Sequence, residues 1–219
     1  MFVLNADAVK KIMRPFENNN IIVIDDFLTP EEFEVTRKES QKLSYEKIPL
    51  GADPWYKLNS GDIYKTQKKY WSDNPEKFKI FFDKLSSANL VECEKFSLMV
   101  HVYAAGAEID WHKDVWPSNR HRLFGSYSFY LHDRWESTWG GNLLVADAST
   151  CKTDEQETEV YNKVSVFSQT PEVLNPGHGT YFAPIPNRLV LIKEVYHKVE
   201  RVDPSIGNNY RTSLTGFFQ

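Results

Sequence analysis

The chain has 219 residues, of which 41% are hydrophobic and 14% aromatic, enough for one domain with a sizeable core. A formal charge of −4 argues against a nucleic-acid partner; no apolar run is long enough to span a bilayer, so no membrane partner is expected. The N-terminus lacks the apolar stretch of a signal peptide, and two cysteines, Cys93 and Cys151, are too few for a disulfide framework, so free thiols and a cytoplasmic location are expected.

The first regular element announces itself at Thr29-Pro30-Glu31-Glu32. Thr29 suits an N-cap, Pro30 the first helical position and Glu32 the return arm of a capping box, so the spacing predicts a helix from about Pro30 to Leu43. From Ile48 to Tyr70 the chain is polar and aromatic, with Gly51, Pro54 and Gly61, which disfavours regular structure and marks a candidate active-site loop. Within it the Lys65 to Lys69 cluster reads as a solvated face. Asn74 and Pro75 repeat the helix-start signal. Phe78, Phe81, Phe82 and Leu85 then follow the spacing of one buried helical face and belong to the core.

After Phe96, short strand-like runs separated by turn residues take over, as a sandwich or barrel requires. They include Phe96 to Tyr103 before the Gly106 turn, Tyr127 to Leu131, Arg188 to Lys193, and Tyr210 to Leu214. Ser128 and Tyr130 alternate with Tyr127, Phe129 and Leu131, and either face can line the interior. Ala148 to Glu159 reads as a solvated loop. His101 fits a hydrogen-bonded core histidine, and His121, His132 and His178 fit loop or surface groups. No repeat or domain boundary is evident: residues 1–219 are expected to form a single domain, with helical support over about 1–92 and a β core over about 93–219.

His112, Lys113 and Asp114 stand out against this background. In an extended segment, side chains two apart leave the same face, so His112 and Asp114 can converge while Lys113 points away. His197, which follows the Arg188 to Lys193 run, can supply a third ligand. Two neutral imidazoles and one carboxylate leave open positions for substrate and dioxygen, the arrangement of mononuclear non-haem Fe(II) oxygenases.

From about Ile22 to Phe218 the chain resembles the Fe(II)/2-oxoglutarate-dependent dioxygenases, in their prolyl 4-hydroxylase-like branch. The matching pieces are Val23-Ile24-Asp25-Asp26-Phe27-Leu28 before a helix; Tyr103 before Trp111-His112-Lys113-Asp114; Tyr127 to Leu131 before Trp139-Gly140-Gly141-Asn142-Leu143; and His197-Lys198-Val199 before Tyr210-Arg211-Thr212-Ser213-Leu214. The last piece is the most specific, a distal histidine followed by an arginine and, two residues on, a serine.

The resemblance implies a mainly β fold with supporting helices, a double-stranded β-helix or jelly-roll of cupin-like form. It implies Fe(II) held by His112, Asp114 and His197, with 2-oxoglutarate and dioxygen as co-substrates. Arg211 would grip the distal carboxylate of 2-oxoglutarate through a planar fork that lysine cannot reproduce, with Ser213 and Tyr103 beside it. Arg122 and Arg188 are the other candidate cations. The implied reaction decarboxylates 2-oxoglutarate to succinate and hydroxylates an unactivated C–H bond; Asp114 favours hydroxylation over halogenation. Trp55, Tyr56, Trp116 and Arg120 are candidate substrate contacts on loops able to reach the open face of the site. The expected substrate is a small molecule such as a free or carrier-bound amino acid. The alternatives are a partner polypeptide, in a prolyl-type hydroxylase, and a non-catalytic metal-binding jelly-roll.

Overall fold

The computed structural model describes residues 21–44, 46–47, 67–72, 75–91, 96–112, 125–146, 179–193 and 195–218. Among these residues two α-helices, α1 (Pro30–Gln41) and α2 (Lys79–Ser87), accompany eleven strands: β1 (Ile21–Ile24), β2 (Glu46–Lys47), β3 (Gln67–Ser72), β4 (Leu98–Tyr103), β5 (Ile109–His112), β6 (Gly125–Tyr130), β7 (Leu143–Ala146), β8 (Gly179–Phe182), β9 (Leu189–Ile192), β10 (His197–Val199) and β11 (Arg211–Phe218). The large sheet runs β1-β9-β6-β11-β4-β3-β2 and the small one β5-β10-β7-β8. Every pairing is antiparallel. The strands from β4 onward divide four and four between the sheets, which is the jelly-roll arrangement.

Helix α1 starts as its sequence dictates. The Thr29 hydroxyl accepts from the Glu32 amide at 3.2 Å while the Glu32 carboxylate accepts from the Thr29 amide at 2.9 Å. The helix ends at Gln41, two residues before the expected Leu43, with Lys42 as its C-cap.

The outer face of the large sheet carries Leu98, Val100, Tyr127, Phe129, Leu189, Leu191, Leu214 and Phe218, and they form one apolar cluster with Phe78, Phe81, Phe82 and Leu85. Phe81 is its hub, with ring centres 4.9 Å from Phe129, 5.2 Å from Phe82, 5.6 Å from Tyr127 and 5.7 Å from Phe27. Because Phe129 and Tyr127 face the helices, alternation turns Tyr130 into the space between the sheets, where it packs with Val190 and Ile192 and with Leu143 and Val145 of the small sheet. The face that sequence left open is thereby assigned.

One expectation requires correction. The end of the stretch from Ile48 to Tyr70 is not irregular: Gln67–Ser72 is β3, in register with β4 from Gln67 opposite Tyr103 to Ser72 opposite Leu98. Tertiary pairing overrides a lysine-rich composition that has little strand propensity of its own, and lysines are at home near a sheet margin. The first part of the chain also does more than give helical support, since β1, β2 and β3 all join the large sheet.

Candidate active site

The two histidines meet because their strands do. His112 closes β5, His197 opens β10, and the two are direct cross-strand partners. Both are buried, with ring centres 4.3 Å apart and planes inclined by 56°. The Nδ1 of His197 lies 3.0 Å from the Val195 carbonyl oxygen. A carbonyl only accepts, so this nitrogen carries the proton and Nε2 carries the lone pair, the atom through which the ring would bind a metal. Among the described residues no third His, Cys, Asp or Glu completes a metal-binding group with them. Asp114 lies outside the described residues, as do Lys113, Trp55, Tyr56, Trp116, Arg120, Arg122, His121, His178, Cys93, Cys151 and the stretch from Ala148 to Glu159.

Arg211 opens β11 opposite Tyr103 and is 1% exposed. Its Nε donates to the Gly141 carbonyl at 2.8 Å and its Nη1 approaches the Ser213 hydroxyl at 3.4 Å. The guanidinium sits between two aromatic rings, with its carbon 5.1 Å from the centre of Tyr103 and 5.0 Å from that of Tyr130. The Gly140–Gly141 turn makes this possible, with φ of 61° and 64°. A Cβ on Gly140 would stand 2.5 Å from the Arg201 carbonyl oxygen; one on Gly141 would stand 3.0 Å from Trp135 and 3.1 Å from Arg211 Cδ. The pair of glycines is therefore required by close approach as well as by backbone angle.

The sequence model of the 2OG-Fe(II) oxygenase superfamily matches residues 98–219. The chain belongs to this superfamily. Its fold is similar to that of a Pseudomonas putida prolyl-4-hydroxylase (TM-score 0.57, 17% identity, covering 91% of this chain and 92% of that one). It is also similar to a Trichoplax adhaerens prolyl hydroxylase solved with a hypoxia inducible factor oxygen degradation domain peptide fragment (TM-score 0.60, 17% identity, 95% and 88%). A third likeness is to a 2OG-Fe(II) oxygenase family oxidoreductase from Burkholderia pseudomallei (TM-score 0.58, 14% identity, 100% and 94%). No curated protein matches the chain. A 2OG-Fe(II) oxygenase uses Fe(II), 2-oxoglutarate and dioxygen, and the chain is accordingly an enzyme, an oxidoreductase of the dioxygenase and hydroxylase type. No helix among the described residues is long and apolar enough to cross a membrane.

The residues around Arg211 fit a dicarboxylate co-substrate of such an oxygenase. Among the described residues no carboxylate pairs with this guanidinium. A buried charge without a counter-ion is costly, and a ligand carboxylate would relieve that cost. Beside it the Tyr130 hydroxyl is fully buried and, among the described residues, meets no partner at good hydrogen-bond geometry; its nearest polar neighbour is the Arg211 guanidinium itself, so a ligand oxygen entering there would serve both groups. Burial pushes the Tyr130 phenol up in pKa, so it stays protonated and able to donate. Tyr103, by contrast, has its hydroxyl 3.3 Å from His101 Nδ1, which is also 3.4 Å from the Thr215 hydroxyl. Arg188 is engaged elsewhere, paired to Asp25 at 2.5 and 2.9 Å.

The sequence does not single out Tyr130, because strand alternation alone does not say which face is inside. His132, which the sequence places in a loop or at the surface, is instead buried between β6, the Pro184 carbonyl and β11. Its neighbours Asp133 and Arg134 are exposed, and that polar setting concealed the burial.

Proposed function

We propose that this oxygenase binds Fe(II) through His112, Asp114 and His197 and 2-oxoglutarate through Arg211, and hydroxylates an unactivated C–H bond. The observation that carries the reading is the buried Arg211 guanidinium, without a carboxylate partner among the described residues, on the strand between those bearing Tyr103 and Tyr130. Fe(II) with bound 2-oxoglutarate supplies the oxidising power, derived from dioxygen and from decarboxylation to succinate.

The protein's own part is to bind and to orient. Arg211 offers a two-pronged grip and Tyr130 a single donor to the distal carboxylate of the co-substrate, with Ser213 in support. The His197 tautomer, held by the Val195 carbonyl, presents Nε2 as a donor atom. Apolar walls from Val145, Val190 and Ile192 exclude water from the interior. Trp55, Tyr56, Trp116 and Arg120 are proposed to orient the substrate, and residues 1–219 to work as one domain.

The substrate we propose is a small molecule such as a free or carrier-bound amino acid. The second reading, a side chain of a partner polypeptide, is favoured by the likeness to a prolyl hydroxylase solved with a peptide. Anaerobic Fe(II) plus 2-oxoglutarate should give a visible charge-transfer band that Asp114→Ala and His197→Ala abolish. A band that persists in both variants sinks the ligand assignment. Succinate release across a panel of amino acids and prolyl peptides then decides between the two substrate classes.

A further inference from the structure

The imidazole of His132 takes no part in the reaction, yet it touches two of the groups that lead to Arg211, the Thr212 backbone and the Trp135 ring. Its Nε2 lies 2.5 Å from the Pro184 carbonyl oxygen. That oxygen only accepts, so Nε2 carries the proton and Nδ1 keeps a lone pair. The lone pair accepts the Thr212 amide at 3.3 Å; the Thr212 carbonyl oxygen, also 3.3 Å from Nδ1, accepts from the Leu131 amide at 2.9 Å. The residue immediately after Arg211 is thus tied by both of its main-chain groups to the segment leaving β6.

On its other side the His132 ring packs 4.7 Å from Trp135. The Trp135 indole donates to the Gly140 carbonyl at 3.0 Å, and the next carbonyl, that of Gly141, takes the Arg211 Nε hydrogen bond. Two chains of contact therefore run from one imidazole to one guanidinium, the first through the β11 backbone and the second through the glycine turn. Tyr130, whose ring centre is 6.0 Å from that of His132, lies on the same route.

We propose that His132, in its neutral Nε2-protonated form, is a positioning residue for the 2-oxoglutarate site, fixing the start of β11 and the Gly140–Gly141 turn so that Arg211 faces the co-substrate carboxylate. The inference rests on the reading of Arg211 given above. A residue that only supports the fold would alter stability without singling out 2-oxoglutarate. A positioning residue must change affinity for that ligand selectively.

The test is calorimetric titration of anaerobic, Mn(II)-loaded protein with 2-oxoglutarate, alongside turnover. His132→Phe keeps the ring and removes both hydrogen bonds. It should weaken 2-oxoglutarate binding by about ten-fold, raise its apparent KM in parallel, and leave Mn(II) affinity and kcat at saturation little changed. His132→Asn, which keeps an acceptor within reach of the Thr212 amide, should recover part of the loss. Binding within about two-fold of wild type in His132→Phe overturns the proposal, provided that Arg211→Lys weakens it. If Arg211→Lys has no effect either, the carboxylate site itself has been misassigned. Should His132→Phe fail to fold, Trp135→Phe tests the second route: loss of the indole donor should weaken 2-oxoglutarate binding several-fold, and unchanged binding counts against the proposal. Independently, nitrogen NMR of histidine-labelled wild type should show His132 neutral with its proton on Nε2, and a proton on Nδ1 alone would overturn it.

Discussion

Arg211 carries a permanent charge in a place where charge is costly, and beside it the buried Tyr130 hydroxyl has no well-aligned partner among the described residues. Both liabilities vanish if a carboxylate enters between them. Arg211→Lys keeps the charge and loses the fork, so it should raise the apparent KM for 2-oxoglutarate by about ten- to a hundred-fold while Fe(II) affinity stays put. Tyr130→Phe should cost less, on the order of five-fold, because a single neutral donor is lost. Steady-state kinetics at varied 2-oxoglutarate checks both, and an unchanged KM in Arg211→Lys would move the carboxylate site elsewhere. The polar residues were legible at the positions where residue type and spacing speak for themselves: His112, His197, Arg211 and Ser213 fall at strand ends or along one strand face. Tyr130 and His132 were not, because what makes them special is which side of a sheet they occupy and which carbonyl they meet, and both are fixed by distant chain.

At the scale of elements, β11 is the spine of the large sheet, lying between β6 and β4. Gly216 marks where its outer face is pressed hardest: a Cβ there would stand 1.9 Å from the Ser97 carbonyl oxygen and 2.7 Å from the Tyr127 hydroxyl, which donates to that same carbonyl at 2.7 Å. Gly216→Ala should therefore destabilise the protein by about 1–3 kcal/mol through forced backbone movement, measured by urea unfolding; a neutral result would mean that β4 and β11 are looser than described. Gly141→Ala should act differently, weakening 2-oxoglutarate binding, because its added methyl meets Arg211 Cδ and Trp135. Helix α1 was readable from sequence because its capping box is local, and so was the buried face of α2, because helical spacing is local. β3 was not, since only its pairing with β4 makes a strand of Gln67–Ser72.

For the molecule as a whole, His132 links folding to pH. Its pKa falls from the ordinary 6.5 to about 4, through burial first and the Arg211 charge second, against the opposing pull of the Pro184 carbonyl. The folded-state value is the depressed one, so between pH 6.5 and 4 the unfolded chain takes up a proton that the folded chain refuses. Stability is therefore full above about 6.5 and declines as pH falls towards 4, by about 3 kcal/mol in all from this residue. Urea unfolding at pH 7 and pH 5 should show wild type losing more stability than His132→Phe over that interval. Equal losses in the two proteins would assign the acid sensitivity to other groups.

The cross-strand pairing of His112 with His197 has a mechanical consequence. Among the described residues β5 is the outermost strand of the small sheet, and its ladder with β10 is interrupted by a register shift between His197 and Val199. Such a margin frays readily, since few bonds must open together for it to lift. An ion gripped by both rings would act as a rivet through that margin, and by reciprocity the work of holding β5 down would be deducted from the ion's affinity. Amide hydrogens of Trp111 and His112 should then exchange markedly more slowly with Mn(II) present than after chelation, while those of β9 and β11 stay unchanged.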